Sequence, residues 1–177
     1  VIALRSFWQM AGCATAALIT VAAPAAAEDG PDLQPAPQAT IVAGARACLG
    51  STIDPSGQTA RFAGWTPATP DQKKSVNIDG DANVVVRDNV VIAFKTGTDG
   101  GCVVIATADS GFDPVTFYPQ ISTVVGATVQ PAEAPAPITL PNGEIFVPVI
   151  SPKTASAASK IILVFANSAG KFAKKGN

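Results

Sequence analysis

The sequence predicts an α+β fold: a single two-layer domain whose antiparallel sheet of about 4–5 strands is packed by two or three helices on one face, tied by one disulfide. Three observations carry that expectation. β-branched runs cluster between residues 84 and 107 and return between 144 and 166, with turn residues separating them. Two segments, 39–49 and 114–126, repeat apolar residues at helical spacing. Two cysteines, Cys48 and Cys102, remain once an apolar leader is set aside. Strands grouped in runs, with few helices between them, point to stacked layers rather than to a wound parallel sheet.

Residues 1–27 read as a secretory signal peptide. Arg5 precedes an apolar run from Ala11 to Val21, and Ala25-Ala26-Ala27 forms an Ala-x-Ala exit. Cleavage is expected after Ala27. The apolar core is short for a membrane span of about 20 residues, so no stable membrane insertion is expected after cleavage. Met10-Ala11-Gly12-Cys13 loosely resembles a lipobox, but most of the apolar core follows Cys13 instead of ending there.

The remaining elements follow in order. Residues 28–38, with Pro31, Pro35, Pro37 and three acids, read as a flexible, Pro-rich acidic leader. The single domain is expected over 39–168. Ile41, Ala45, Cys48 and Leu49 fall near one face of a helix that Gly50 can stop. Asp54-Pro55-Ser56-Gly57 is a turn or cap, and a short helix at 58–63 ends at Gly64. Pro67 and Pro70 mark a loop, and the polar stretch 71–82 carries no clear period.

Val84–Val86 and Val90–Lys95 read as strands around a tight turn at Arg87-Asp88-Asn89, and Cys102–Thr107 as the return strand of a meander. Asp113-Pro114 caps a helix carrying Phe117, Ile121, Val124 and Val125 up to Gly126; Pro119 should kink or delay it. Residues 130–142 form a Pro-rich connector that turns at Asn142-Gly143. Glu144–Ile150 is a strand in which Pro148 implies an edge or a bulge. Lys160–Ala166 is the most apolar strand and is expected to be central. Lys171, Lys174 and Lys175 make 169–177 a basic, disordered tail.

The chemistry is sparse. The chain has no His, which removes the commonest general base, the usual catalytic triads and His-containing zinc sites. With 12 Lys and Arg against 13 Asp and Glu, no basic patch predicts a nucleic-acid partner. No metal or other cofactor is expected. An even cysteine pair in an exported chain predicts a Cys48–Cys102 disulfide, closing a loop of about 55 residues worth roughly 4 kcal/mol in the chain-entropy model.

Asp79 and Asp81 could converge on one face of a strand as a weak cation site. Asn77, Asp79, Asp81 and Asn83 alternate as in a calcium loop, but an EF-hand needs Gly and Glu where Ala82 and Asp88 stand. A solvated turn is the simpler expectation. Asp109-Ser110-Gly111 lacks the Gly-x-Ser-x-Gly elbow of a nucleophile. Trp65 and Tyr118 could line a ligand groove or pack in the core.

No catalytic residue is therefore assigned. The sequence reads as a periplasmic or secreted protein of a bacterial envelope, non-catalytic, binding an envelope protein or a small ligand. Two alternatives stand beside it. One is an inhibitor of a secreted enzyme, displaying loop 96–101 or 131–143. The other is a carboxylate-dependent hydrolase built on Asp79 and Asp81. Export is tested by N-terminal sequencing of the secreted product. It should begin at Glu28; a product retaining residues 1–27, or starting at a lipidated Cys13, contradicts the assignment.

Overall fold

The computed structural model describes residues 33–76, 78, 81–95, 100–132, 134–151 and 158–167. Residues 1–27, expected as a signal peptide, and 169–177, expected as a basic tail, lie outside the described residues. The elements run β1 (Pro35–Ala36), α1 (Gln38–Cys48), a 3-10 turn (Pro55–Gly57), α2 (Gln58–Arg61), β2 (Thr66–Pro67), α3 (Pro70–Ser75), β3 (Asn83–Arg87), β4 (Val90–Lys95), β5 (Gly101–Ala108), α4 (Pro114–Val125), β6 (Ile138–Thr139), β7 (Glu144–Ile150) and β8 (Lys160–Asn167). No described helix is long and apolar enough to cross a membrane.

The fold is a mixture of helix and antiparallel sheet, as expected, but the sheet has 8 strands instead of four or five. Its order is β2-β3-β4-β5-β8-β7-β6, and β1 pairs in parallel with the end of β5. The extra strands are β1, β2 and β6, of two residues each. So short a strand has no period to read, and Pro35 and Pro67 argue against strand where they stand. Pro35 and Ala36 belong to a stretch read as leader, yet Ala36 is fully buried against the core.

The 84–107 meander forms in register. Its tight turn contains only Asp88 and Asn89, at φ 43° and 66°. Both central residues of a type I′ hairpin need positive φ, and Asp and Asn tolerate it best after Gly. The turn is also tied to its surroundings: Thr40 Oγ1 donates to Asp88 Oδ2 at 3.1 Å, and Asn89 Nδ2 donates to the Pro35 carbonyl at 2.9 Å. β8 lies between β5 and β7. β6 pairs with Ile145 and Phe146 of β7, so among the described residues Pro148 has a strand on one side alone, at Leu163 of β8.

Strand β5 alternates strictly. Cys102, Val104, Ala106 and Ala108 are buried on the face that meets α1 and α4, which we call the inner face. Helix α1 lies over β4 and β5 and packs on α4. Its closeness depends on Gly44, where a Cβ would stand 3.0 Å from Val104 Cγ1 and 3.5 Å from the Trp65 ring. One turn later Cys48 is bonded to Cys102, with Cα atoms 5.5 Å apart. At the start of α1, Gln38 Nε2 donates to Thr116 Oγ1 and Gln120 Oε1, each at 3.1 Å, and Gln38 Oε1 accepts from the Asp113 amide. Ile41, Ile92, Phe117, Ile121, Phe146, Leu163 and Phe165 fill the space between these helices and the sheet, none more than 1% exposed.

Not all helices lie on one face. Helix α3, a fourth helix in the stretch without a clear period, leads into Val76, which joins Ile78, Ala68 and Leu33 in covering Val84, Val91 and Ala93 from the outer face. It starts on a capping box, Thr69 and Gln72, with Pro70 in the first turn. Pro119 does not delay α4, which runs unbroken from Pro114 to Val125. Pro119 is the sixth of the 12 residues and lies on an exposed face, so the one bond it removes leaves the carbonyl of Val115, 81% exposed, to water.

The disulfide is open to direct test. Reduction, or Cys102→Ser, should lower unfolding stability by about 2–5 kcal/mol, measured by urea titration. Two freely alkylatable thiols in the native protein contradict the bridge.

Candidate functional site

The outer face of the sheet is the largest feature left over by the fold. Strand register aligns Val103 and Ile105 of β5 with Val164 and Ile162 of β8. These in turn align with Val147 and Val149 of β7, beside Ile145. All are β-branched and apolar. Ile162 is 36% exposed and the others are half-buried. Alternation puts them opposite the helix-covered residues of the same strands. A half-buried sheet normally shows polar residues on its second face; this one does not. Among the described residues, the cover formed by Leu33, Val76 and Ile78 packs with Val91, Ala93 and Ile105 and with no residue of β8 or β7.

The face carries charge only at its ends. Lys95 closes β4 and Lys160 opens β8, both in register with outward-facing positions. Glu144 is the one acid in the described strands, and it points inward.

At the hairpin end the face runs into a pocket of about 370 Å³, bounded by Leu33, Gln34, Gln72, Arg87, Asn89 and Val91 among others. Its lining mixes apolar Leu33, Val86 and Val91 with amides, two hydroxyls, the Arg87 guanidinium and the Asp88 carboxylate. Arg87 pairs with its exposed neighbour Asp88, at 3.7 Å, a weak contact in solvent.

Glu144 is a second polar centre that the sequence does not reveal. Its carboxylate is fully buried and accepts from the Gly50 amide at 2.7 Å, Thr52 Oγ1 at 2.5 Å and Asn142 Nδ2 at 2.7 Å. Asn142 Oδ1 accepts from the Glu144 amide in return. Three donors satisfy a buried carboxylate without a cation. The group is a clamp between the exit of α1 and the β6–β7 hairpin.

The residues singled out from sequence are dispersed. Trp65 is 9% exposed beside Gly44, on the β3–β4 side of the core. Tyr118 is half-buried on α4 with its ring edge-on to Phe117 at 6.1 Å, and burial pushes its hydroxyl above the usual phenol range. Among the described residues no ring contact joins the two. Asp81 is exposed just before β3, and Asp79 lies outside the described residues. Among the described residues no three His, Cys, Asp or Glu side chains gather as a metal site. Loop residues 96–99 also lie outside the described residues. Asp54 is held below the usual carboxylate range, first by the Ser56 hydroxyl and amide and then by Arg61 at 3.5 Å.

No protein-family model, no curated protein and no solved structure matches the chain. The site must therefore be argued from its own geometry.

The clamp is directly testable. Glu144→Ala leaves three donors without their acceptor and should cost about 3 kcal/mol or more of stability, at roughly 1–3 kcal/mol per stranded buried group. Asp81→Asn, on an exposed residue, should stay within about 0.5 kcal/mol of the parent. Equal melting curves for the two variants contradict the clamp.

Proposed function

We propose that this protein is an exported, non-catalytic binding module that takes a polypeptide partner on the outer face of its sheet. The observation that carries the reading is the band of β-branched side chains on β5, β8 and β7, which no described element covers. Exposed apolar patches of a few hundred Å² on a soluble protein usually mark interaction surfaces. The disulfide supports export, because reducing compartments keep such thiols apart. The apolar leader with its Ala-x-Ala exit supports it independently.

The sheet edges favour face-on over edge-on binding. Each edge is a strand of two residues, and β7 carries Pro148 where it runs beyond β6. Short, Pro-bearing edges resist strand addition.

The test is a photo-crosslinking residue placed at Ile162 in the mature protein, used as bait in an envelope fraction. A matched probe replaces Val115 on α4, which is 81% exposed and lies away from the outer face. A polypeptide adduct from position 162 that position 115 does not give, and that excess unlabelled protein competes away, is the expected result. Adducts of equal yield from both positions, or none from 162, contradict the reading.

A further inference from the structure

The turn that carries the Glu144 clamp holds the sequence's one Asn-Gly pair, Asn142-Gly143. Such a pair can modify itself without an enzyme. Glycine has no side chain to keep its amide nitrogen away from the preceding carboxamide, and asparagine is among the thermolabile residues. We propose that Asn142 is a deamidation site that the closed hairpin protects and whose product the clamp rejects, so that a molecule that opens long enough to react cannot re-form the clamp.

The reaction needs water and nothing else. The Gly143 amide nitrogen gives up its proton and bonds to Asn142 Cγ. The Cγ–Nδ2 bond breaks, and Nδ2 leaves as ammonia with that proton. Water then opens the cyclic imide at either carbonyl. One opening leaves an ordinary aspartate; the other leaves an isoaspartate, whose main chain runs through the side-chain carbons. No electron is transferred, and the net exchange is one water for one ammonia.

In the closed fold the atoms of that step are engaged elsewhere. Asn142 Nδ2 donates to Glu144 Oε2 at 2.7 Å, and Asn142 Oδ1 accepts from the Glu144 amide at 3.1 Å. Gly143 N donates to the carbonyl of Leu140 at 2.9 Å. The carboxamide is fixed at both ends, so Cγ cannot swing over the Gly143 nitrogen until the turn opens. β6 holds the hairpin by two residue pairs, Ile138 with Phe146 and Thr139 with Ile145. Elements with so few ties are those that open locally.

The product does not fit the clamp. An aspartate in place of Asn142 has no N–H for Glu144 Oε2 and brings a second carboxylate within hydrogen-bond distance of it. Glu144 is fully buried, and its other donors are the Gly50 amide and Thr52 Oγ1. Among the described residues it has no ion pair; Arg61, packed against Gly50, is held by the Leu49 carbonyl and Asp54. Two carboxylates so close repel, and no cation offsets them. Turning the new carboxylate out to water forfeits the bond to the Glu144 amide as well. An isoaspartate adds a main-chain atom between Leu140 and Glu144, where Leu140 N donates to the Glu144 carbonyl at 2.8 Å and so sets the register.

The experiment uses the mature, disulfide-bonded protein in mildly alkaline buffer. Deamidation at 142 is followed by peptide mapping, and isoaspartate by enzymatic carboxyl methylation. The native protein should react about tenfold or more slowly than the same protein in urea, because the reaction draws on the open population alone. Glu144→Gln should raise the native rate several-fold. Ile92→Val, a core change on β4 with two strands between it and β7, should not. Should Glu144→Gln not fold, Thr52→Val takes its place as the variant that weakens the clamp. In urea titrations Asn142→Asp should have a lower midpoint than Asn142→Ala, which loses both hydrogen bonds but gains no charge.

Equal rates in native and unfolded protein overturn the protection. A clamp variant that reacts no faster than Ile92→Val overturns Glu144 as the guard. An Asn142→Asp midpoint at or above that of Asn142→Ala overturns the rejection of the product. None of these outcomes depends on what the outer face binds.

Discussion

Strands β4, β5 and β8 are apolar on both faces, and the rest of the structure depends on covering them twice. The inner cover is built from the chain itself. Gly44 lets α1 descend until it touches Val104, and the bond from Cys48 to Cys102 holds it there. Helix α4 then packs beside α1, with Gln38 stitching their first turns. Dispersion contacts fade within fractions of an ångström, so a bulkier residue at 44 would loosen the whole inner layer. The outer cover is only half built: Leu33, Val76 and Ile78 close the β3–β4 end, and the β5–β8–β7 end is the surface on which we place a partner.

Polar groups hold the corners of this assembly. The Asp88-Asn89 turn is anchored to Thr40 and Pro35. The buried Glu144 carboxylate ties the loop after α1 to the last hairpin. In a low-dielectric interior a fully satisfied carboxylate specifies geometry, because every alternative register leaves it or its donors unpaired. The two anchors sit at opposite ends of the sheet, so they set the orientation of α1 relative to both hairpins.

Much of the fold was legible in the sequence because it is locally encoded. Asp88-Asn89 between β-branched runs specifies the hairpin, and Ile41, Ala45 and Cys48 show the buried stripe of α1. With Cys13 set aside in the apolar leader, two cysteines were left, enough to pair Cys48 with Cys102. β1, β2 and β6 were not legible, since two-residue strands are decided by their neighbours. The signal for α3 was present as Thr69-Pro70-Asp71-Gln72, but its helix has no buried residue, and hence no apolar period to confirm it. The site was legible only in part. The unbroken runs at 90–94 and 161–165 imply strands buried on both sides; they show nothing of what covers the second side. Glu144 is legible only as the start of a strand, because its three donors come from positions distant in sequence or on the far side of a turn. Trp65 reads more readily as core than as groove, and packing against a glycine 21 positions earlier, Gly44, is what places it in the core.

The central claim is that the two faces of one sheet differ in cover. Paramagnetic relaxation of side-chain methyls by a small neutral nitroxide in solution tests it most directly, using the isolated mature protein. Val104, Ile161 and Leu163 on the inner face should be protected, while Val147, Ile162 and Val164 on the outer face should broaden strongly. Outer methyls as protected as the inner ones would show that the chain covers both faces by itself, and would contradict the account.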